Sequence, residues 1–186
     1  MNKFEIKSQT TRALLIQAFW ELTKEKELPK VKIKDVTDRA GFYRSTFYLH
    51  FTDICDLLDK EENLLVDKWK EKIQSTANTA TPEELLRTLS DYYVENGDKV
   101  FTLLRERVYS KYEYKMKQTI LEHIHTYYPH TNSDIFDYSF EFYIGGIIDS
   151  MLKWDAEGRK ADINEIIEYI LQWIQHGIGS NYWTVN

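Results

Sequence analysis

The stretch Ile33-Lys34-Asp35-Val36-Thr37-Asp38-Arg39-Ala40-Gly41-Phe42-Tyr43-Arg44-Ser45-Thr46-Phe47-Tyr48-Leu49-His50-Phe51 decides the fold. Ile33, Val36 and Ala40 fall three and four residues apart, the narrow apolar stripe of a short amphipathic helix. Gly41 follows where a helix end needs a left-handed residue. Phe47 and Phe51, four apart, are the buried anchors of a second helix. Arg44, Ser45 and Thr46 open that helix with polar side chains. Two short helices at a glycine turn, the second anchored by one face and polar on the other, define a helix-turn-helix. The second helix of that motif lies in a DNA major groove with its first residues at base edges.

Working outward, helical spacing continues on both sides. Leu14, Leu15, Ala18, Phe19 and Leu22 predict a helix over 8–26, ended by Leu28-Pro29. Thr52-Asp53 caps a long helix to about Gln74 that carries Leu57, Leu58, Leu64, Leu65 and Trp69. A polar linker, 75–81, precedes Thr81-Pro82-Glu83-Glu84, which joins a capping residue, an N-terminal proline and a capping-box acid. The helix it opens is expected to stop near Asn96-Gly97. Further helices are predicted over 100–108, 112–128, 134–154 and 163–178, the last opened by Asp162 and Glu165. The expected fold is all-α, with about nine helices, no strand and no internal repeat. Residues 1–52 are expected to form the helix-turn-helix domain and 53–186 a helical domain behind it.

Composition agrees. With 7 Gly and 3 Pro in 186 residues, breakers are scarce. Net charge is −6, but it is unevenly spread. Residues 1–51 hold ten Lys/Arg against six Asp/Glu (+4), and 52–186 hold fourteen against twenty-four (−10). A basic end on an acidic body is the asymmetry of a chain that meets phosphate at one end. The N-terminus has no signal-peptide pattern and no apolar run reaches the roughly 20 residues of a membrane span, so a cytoplasmic protein without a membrane partner is expected. Cys55, the single cysteine, has no intrachain partner and nothing basic close by to activate it.

The run Ala40-Gly41-Phe42-Tyr43-Arg44-Ser45-Thr46-Phe47-Tyr48-Leu49-His50-Phe51, followed by Asp53 and Leu57-Leu58, resembles the helix-turn-helix of the tetracycline-repressor (TetR) family of transcriptional regulators. The resemblance covers about residues 8–58. It implies a DNA-binding domain of three helices, a ligand-sensing helical core and a homodimer, and no enzyme activity. It places Arg44, Ser45, Thr46, Tyr48 and His50 toward DNA. Lys32, Lys34 and Tyr43 complete the expected DNA-binding set. Departures from the family pattern fall at Lys32 and Tyr43, where capping residues are usual, at Thr37, where a smaller residue is usual, and at Thr52 and Ile54, where a lysine is common. They bear on operator sequence and affinity.

In the body, Trp69, Tyr92, Tyr93, Phe101, Tyr109, Tyr112, Phe142 and Tyr143 are candidates to line an effector pocket, although aromatic residues on helices are more often core. Paired glycines inside a helix, Gly145-Gly146, cost roughly 1 kcal/mol each, which points to close approach of another helix or a ligand. Their segment, Phe142 to Trp154, resembles the penultimate helix of one branch of the family, that of dihydroxyacetone kinase operon regulators. There the last two helices form the dimer interface. Gly145, Gly146, Trp154, Ile167, Ile170, Leu171 and Ile174 are the implied dimer contacts. Glu122, His123, His125 and His130 could suggest a metal site, but His123 and His125 are two apart on a helix and point in different directions, so no metal or other cofactor is expected. The expected function is a dimeric repressor on a palindromic operator, released by a small effector. The alternatives are an activator or interaction module whose body binds a partner protein, and, further off, a helical enzyme or carrier.

Overall fold

The computed structural model describes residues 3–76, 82–106, 110–127, 131 and 133–176. It is all-helical among those residues, with eight α-helices and a 3-10 turn at Leu28–Lys30. The helices are α1 (Lys3–Glu25), α2 (Ile33–Ala40), α3 (Arg44–Tyr48), α4 (Ile54–Thr76), α5 (Pro82–Arg105), α6 (Tyr112–Tyr127), α7 (Asp134–Ala156) and α8 (Ile163–His176). The chain forms two compact units, Met1–Leu64 with Glu106–Tyr112, and Leu65–Arg105 with Glu113–Asn186.

In the first unit α1 packs on α2, and α2 on α3. Leu15, Phe19, Val36, Phe47, Phe51 and Leu57 are buried at its centre. Gly41 ends α2 at φ 74°, and the Phe42 N–H returns to the Thr37 carbonyl at 2.9 Å. α3 is shorter than the expected 44–51, because the chain tightens after Tyr48. His50 and Phe51 N–H groups both donate to the Phe47 carbonyl, at 2.9 and 3.0 Å, which still brings Phe51 under Phe47. Asp53 Oδ1 accepts the Asp56 N–H at 2.8 Å and Asp56 Oδ2 the Thr52 N–H at 2.9 Å, a reciprocal cap that starts α4. Glu61 of α4 is buried beside Trp20 of α1, whose indole N–H donates to its Oε2 at 2.8 Å. Glu62, also buried, accepts the Lys111 N–H at 3.1 Å within this unit.

In the second unit α5 packs against α7 and α8. The break expected at Asn96-Gly97 does not occur, since α5 runs through it. Asn96 donates back along the helix to the Tyr92 carbonyl (3.2 Å) instead of capping it. Gly97 is buried, and a Cβ there would lie 3.4 Å from the Phe101 ring. That fusion accounts for eight α-helices where the periodicity predicts nine. Ser133 caps α7 by accepting the Phe136 N–H, and the Trp154 indole donates to the Ala161 carbonyl at 2.9 Å, across the turn into α8. Thr81 and 177–178, expected at helix ends, lie outside the described residues.

Phe47 is fully buried, so Phe47→Ala is expected to lower unfolding free energy by about 3–5 kcal/mol. Gly41→Ala has space but an unfavourable backbone angle, and is expected to cost about 1–2 kcal/mol. Urea titrations of both variants check these values.

Candidate nucleic-acid interface

α3 has one turn and a half, and its two faces differ sharply. Phe47 is 0% exposed, while Arg44, Ser45, Tyr48 and Leu49 lie open to solvent. Arg44 and Tyr48 stand one turn apart, as do Ser45 and Leu49, so the four make a single outward stripe. Tyr43 precedes them at 85% exposure and makes no side-chain cap. The Tyr48 ring meets Phe47 edge-on at 5.9 Å, which steadies it while leaving it 53% exposed. Thr46 and His50 are half-buried, and Lys32 and Lys34 are exposed at the start of α2.

The remaining polar groups of this unit are arranged to hold the motif. The Asp35 carboxylate accepts the Lys26 ammonium (2.7 Å) and the Lys32 N–H (3.0 Å), supplying the cap that Lys32 cannot. These bonds hold its pKa below the usual carboxylate value, the Lys26 bond foremost. Arg39 is paired to Glu25 (2.7 Å) and reaches Glu21 (3.7 Å), so its charge ties α2 to α1. Thr37, where a smaller residue is usual, is buried with its hydroxyl donating to the Ile33 and Lys34 carbonyls, 3.0 and 3.1 Å away. Burial, and secondarily the Arg12 charge, push the His50 pKa below 6.5. The imidazole is therefore neutral at pH 7 and offers one N–H donor.

Three residues of this surface were not expected from the sequence. Leu49 is 81% exposed at the end of α3. Arg12 of α1 and Lys60 of α4 both converge on the Phe51 ring, at 5.5 and 5.3 Å from its centroid. Leu49 lies inside the motif, but an apolar side chain gives no polar signal. Arg12 and Lys60 lie 39 residues before and 9 after Phe51, and no local spacing links them to it.

The candidate effector residues are only partly brought together. Trp69, Tyr92, Tyr93 and Phe101 form a buried chain of rings at centroid separations of 5.4, 6.1 and 5.5 Å. The Tyr92 hydroxyl donates to the Leu65 carbonyl (2.9 Å), and burial raises the Tyr93 pKa far above its usual value. The Trp69 indole N–H, buried in this chain, has no hydrogen-bond partner among the described residues. Phe142 and Tyr143 instead pair with each other on the surface of α7, Tyr112 belongs to the first unit, and Tyr109 lies outside the described residues. One cleft of 520 Å³ is lined by Tyr92 with Lys68, Glu71, Lys72, Glu95 and Asn96. Another, of 230 Å³, is lined by Lys70, Ile73, Gln74, Thr119, Glu122, His123 and Thr126.

Of the candidate dimer residues, Ile167 is buried, Gly145, Trp154 and Ile170 are half-buried, and Gly146 is exposed. The side chains of Leu171 and Ile174 lie outside the described residues. His125 approaches Asp137 at 3.1 Å, and His130 lies outside the described residues. Among the described residues no group of three His, Cys, Asp or Glu could hold a metal ion, and no helix is long and apolar enough to cross a membrane.

The fold thus defined is an all-helical one with a helix-turn-helix near its N-terminus. No protein-family model and no curated protein matches the sequence. Solved structures do match the fold. The fatty acid degradation regulator FadR from Bacillus halodurans superposes with a TM-score of 0.67 at 19% identity, over 90% of this chain and 96% of that one. A transcriptional regulator (TerR/AcrR family) from Aquifex aeolicus VF5 superposes with a TM-score of 0.70 at 16% identity, over 89% and 98%. The all-α fold expected from the sequence is therefore one that transcriptional regulators adopt.

The lowered His50 pKa sets a pH dependence. The unfolded chain binds this proton more readily than the folded one, so the contribution is whole above about pH 6.5 and is lost as pH falls through it. His50→Gln is expected to melt with a smaller drop in Tm than the parent between about pH 8 and about pH 5.5. Equal drops would count against it.

Proposed function

We propose that the chain is a sequence-specific DNA-binding transcriptional regulator of the TetR type, acting in the cytoplasm as a homodimer on a palindromic operator. The observation that carries this is the outward stripe of α3, where Arg44, Ser45 and Tyr48 stand exposed opposite fully buried Phe47. A major groove accepts a helix of that shape. The Arg44 guanidinium suits the paired acceptors of a guanine, and Tyr48, Thr46, His50, Lys32 and Lys34 suit phosphates, with Tyr43 and Ser45 at the groove edge. The fold shared with transcriptional regulators supports the same reading.

In this reading the dimer forms through α7 and α8. Ile135 (79% exposed), Tyr138 (78%) and Phe142 (73%) recur along one stripe of α7, and Tyr169 (55%) and Trp173 (40%) stand out on α8. Among the described residues, a Cβ added at Gly145 or Gly146 would meet nothing within 4 Å, so no packing described there offsets the two glycines. A second copy of the same helices does, through a two-fold contact. A small effector that shifts the dimer between DNA-fitting and non-fitting states would make it a releasable repressor. The unsatisfied Trp69 N–H in the aromatic chain supports a ligand with an acceptor group. The same apolar stripe supports a second reading, an activator whose body binds a partner protein in the manner of the dihydroxyacetone kinase operon branch.

Binding to a duplex selected from random sequence, followed by fluorescence anisotropy, tests the main reading. The selected duplex is expected to outcompete a scrambled one, and Arg44→Ala to lose about 1–3 kcal/mol on the selected duplex alone. Failure to enrich any sequence would sink it. Sedimentation velocity is expected to give a dimer at micromolar concentration and a monomer for Tyr138→Glu/Phe142→Glu. A parent monomer would favour the partner-binding reading.

A further inference from the structure

The cations gathered on Phe51 have no part in the motif itself. We propose that Arg12 and Lys60 form a binding site for a backbone phosphate of double-stranded DNA at the C-terminal end of α3. This deepens the DNA-binding reading and rests on it.

The Lys60 ammonium has three N–H groups. One goes to Asp56 Oδ2 (2.9 Å) and one to the His50 carbonyl (3.3 Å), and its side chain is still 43% exposed. Arg12 has five N–H groups and makes no hydrogen bond or ion pair among the described residues. A guanidinium can meet two phosphate oxygens at once. Asp56 is the carboxylate that faces the cluster. It accepts Lys60 and the Thr52 N–H, and both Lys60 and Arg12 hold its pKa down. Two cations against one carboxylate leave the site net positive.

The Phe51 ring is itself buried at 2% exposure. The Arg12 guanidinium and the Lys60 ammonium both stand over its face, which fixes their positions, and the Lys60 side chain stays open to solvent. The carbonyl that Lys60 meets belongs to the residue just after Leu49, the last of the exposed stripe. Phosphates flank the base edges along a groove, so a cationic site at one end of a groove-reading helix meets backbone where Arg44 and Ser45 meet bases.

The test uses the full-length protein, the selected duplex and its scrambled counterpart in a salt series. Arg12→Gln and Lys60→Gln are each expected to weaken both duplexes by the same factor, leaving the sequence preference intact. Each is expected to flatten the slope of log affinity against log salt by about one, and the double variant by about two. Lys60→Arg should restore the slope. Melting curves run alongside separate a packing role, because loss of a cation over Phe51 alone lowers Tm and leaves the slope unchanged. An unchanged slope in the single variants overturns the phosphate site while the DNA reading stands. A parent protein with no salt-dependent binding overturns both.

Discussion

A helix of five residues has no stability of its own in water, because nucleating a turn costs more than one or two hydrogen bonds return. α3 therefore exists by virtue of the Phe47–Phe51 pair, rings 5.4 Å apart and both buried. Everything the outward face presents depends on that anchor. Its orientation is set by one ring inside the helix and one just beyond it, and the backbone closes on the Phe47 carbonyl between them. Tyr48 is steadied by Phe47, and the Arg12 and Lys60 cations by Phe51. Hydrophobic burial thus places the polar groups.

The acidic body and basic end are reconciled at the level of pairs. Arg39 and Lys26 would count toward a basic patch, yet both are engaged by acids of the same unit, Glu25 and Asp35. What is left exposed near α3 is a smaller set than the +4 of residues 1–51 implies. Arg44, Lys32 and Lys34 lie in the open, and Lys60 joins them from beyond that window. Two buried acids, Glu61 and Glu62, serve packing, one bonded to the Trp20 indole and the other to a backbone N–H. Net charge per segment is therefore a first guide to the interface, and pairing decides its outline.

Most of the fold was legible in the sequence because helical spacing and capping chemistry agree over most of the chain. Ser133, Gly41 and Asp53 act at helix ends as their types predict. Asn96-Gly97 did not, because a local stop signal yields to tertiary packing when the glycine is buried against a ring four residues on. The inner and outer faces of α7 were not legible. Its residues are apolar nearly all round, so periodicity cannot tell that Phe140, Ile144 and Ile148 turn inward while Tyr138 and Phe142 turn outward. For the same reason the aromatic residues proposed for one pocket separate into a buried chain and a surface pair.

The candidate site divides along the same line. Groups suited to base edges lie within a dozen consecutive residues, because one helix must carry them all into one groove. A motif of that kind is visible in a single sequence. Groups suited to phosphates need only reach a repeating backbone, and any element that ends nearby can supply them. Arg12, from α1, and Lys60, from α4, stand 48 positions apart and meet only because both α1 and α4 pack around Phe51. A resemblance resting on residues 40–51 therefore covers the groups suited to base edges and not the phosphate-suited pair Arg12 and Lys60. Those two are side chains that only the folded unit brings together.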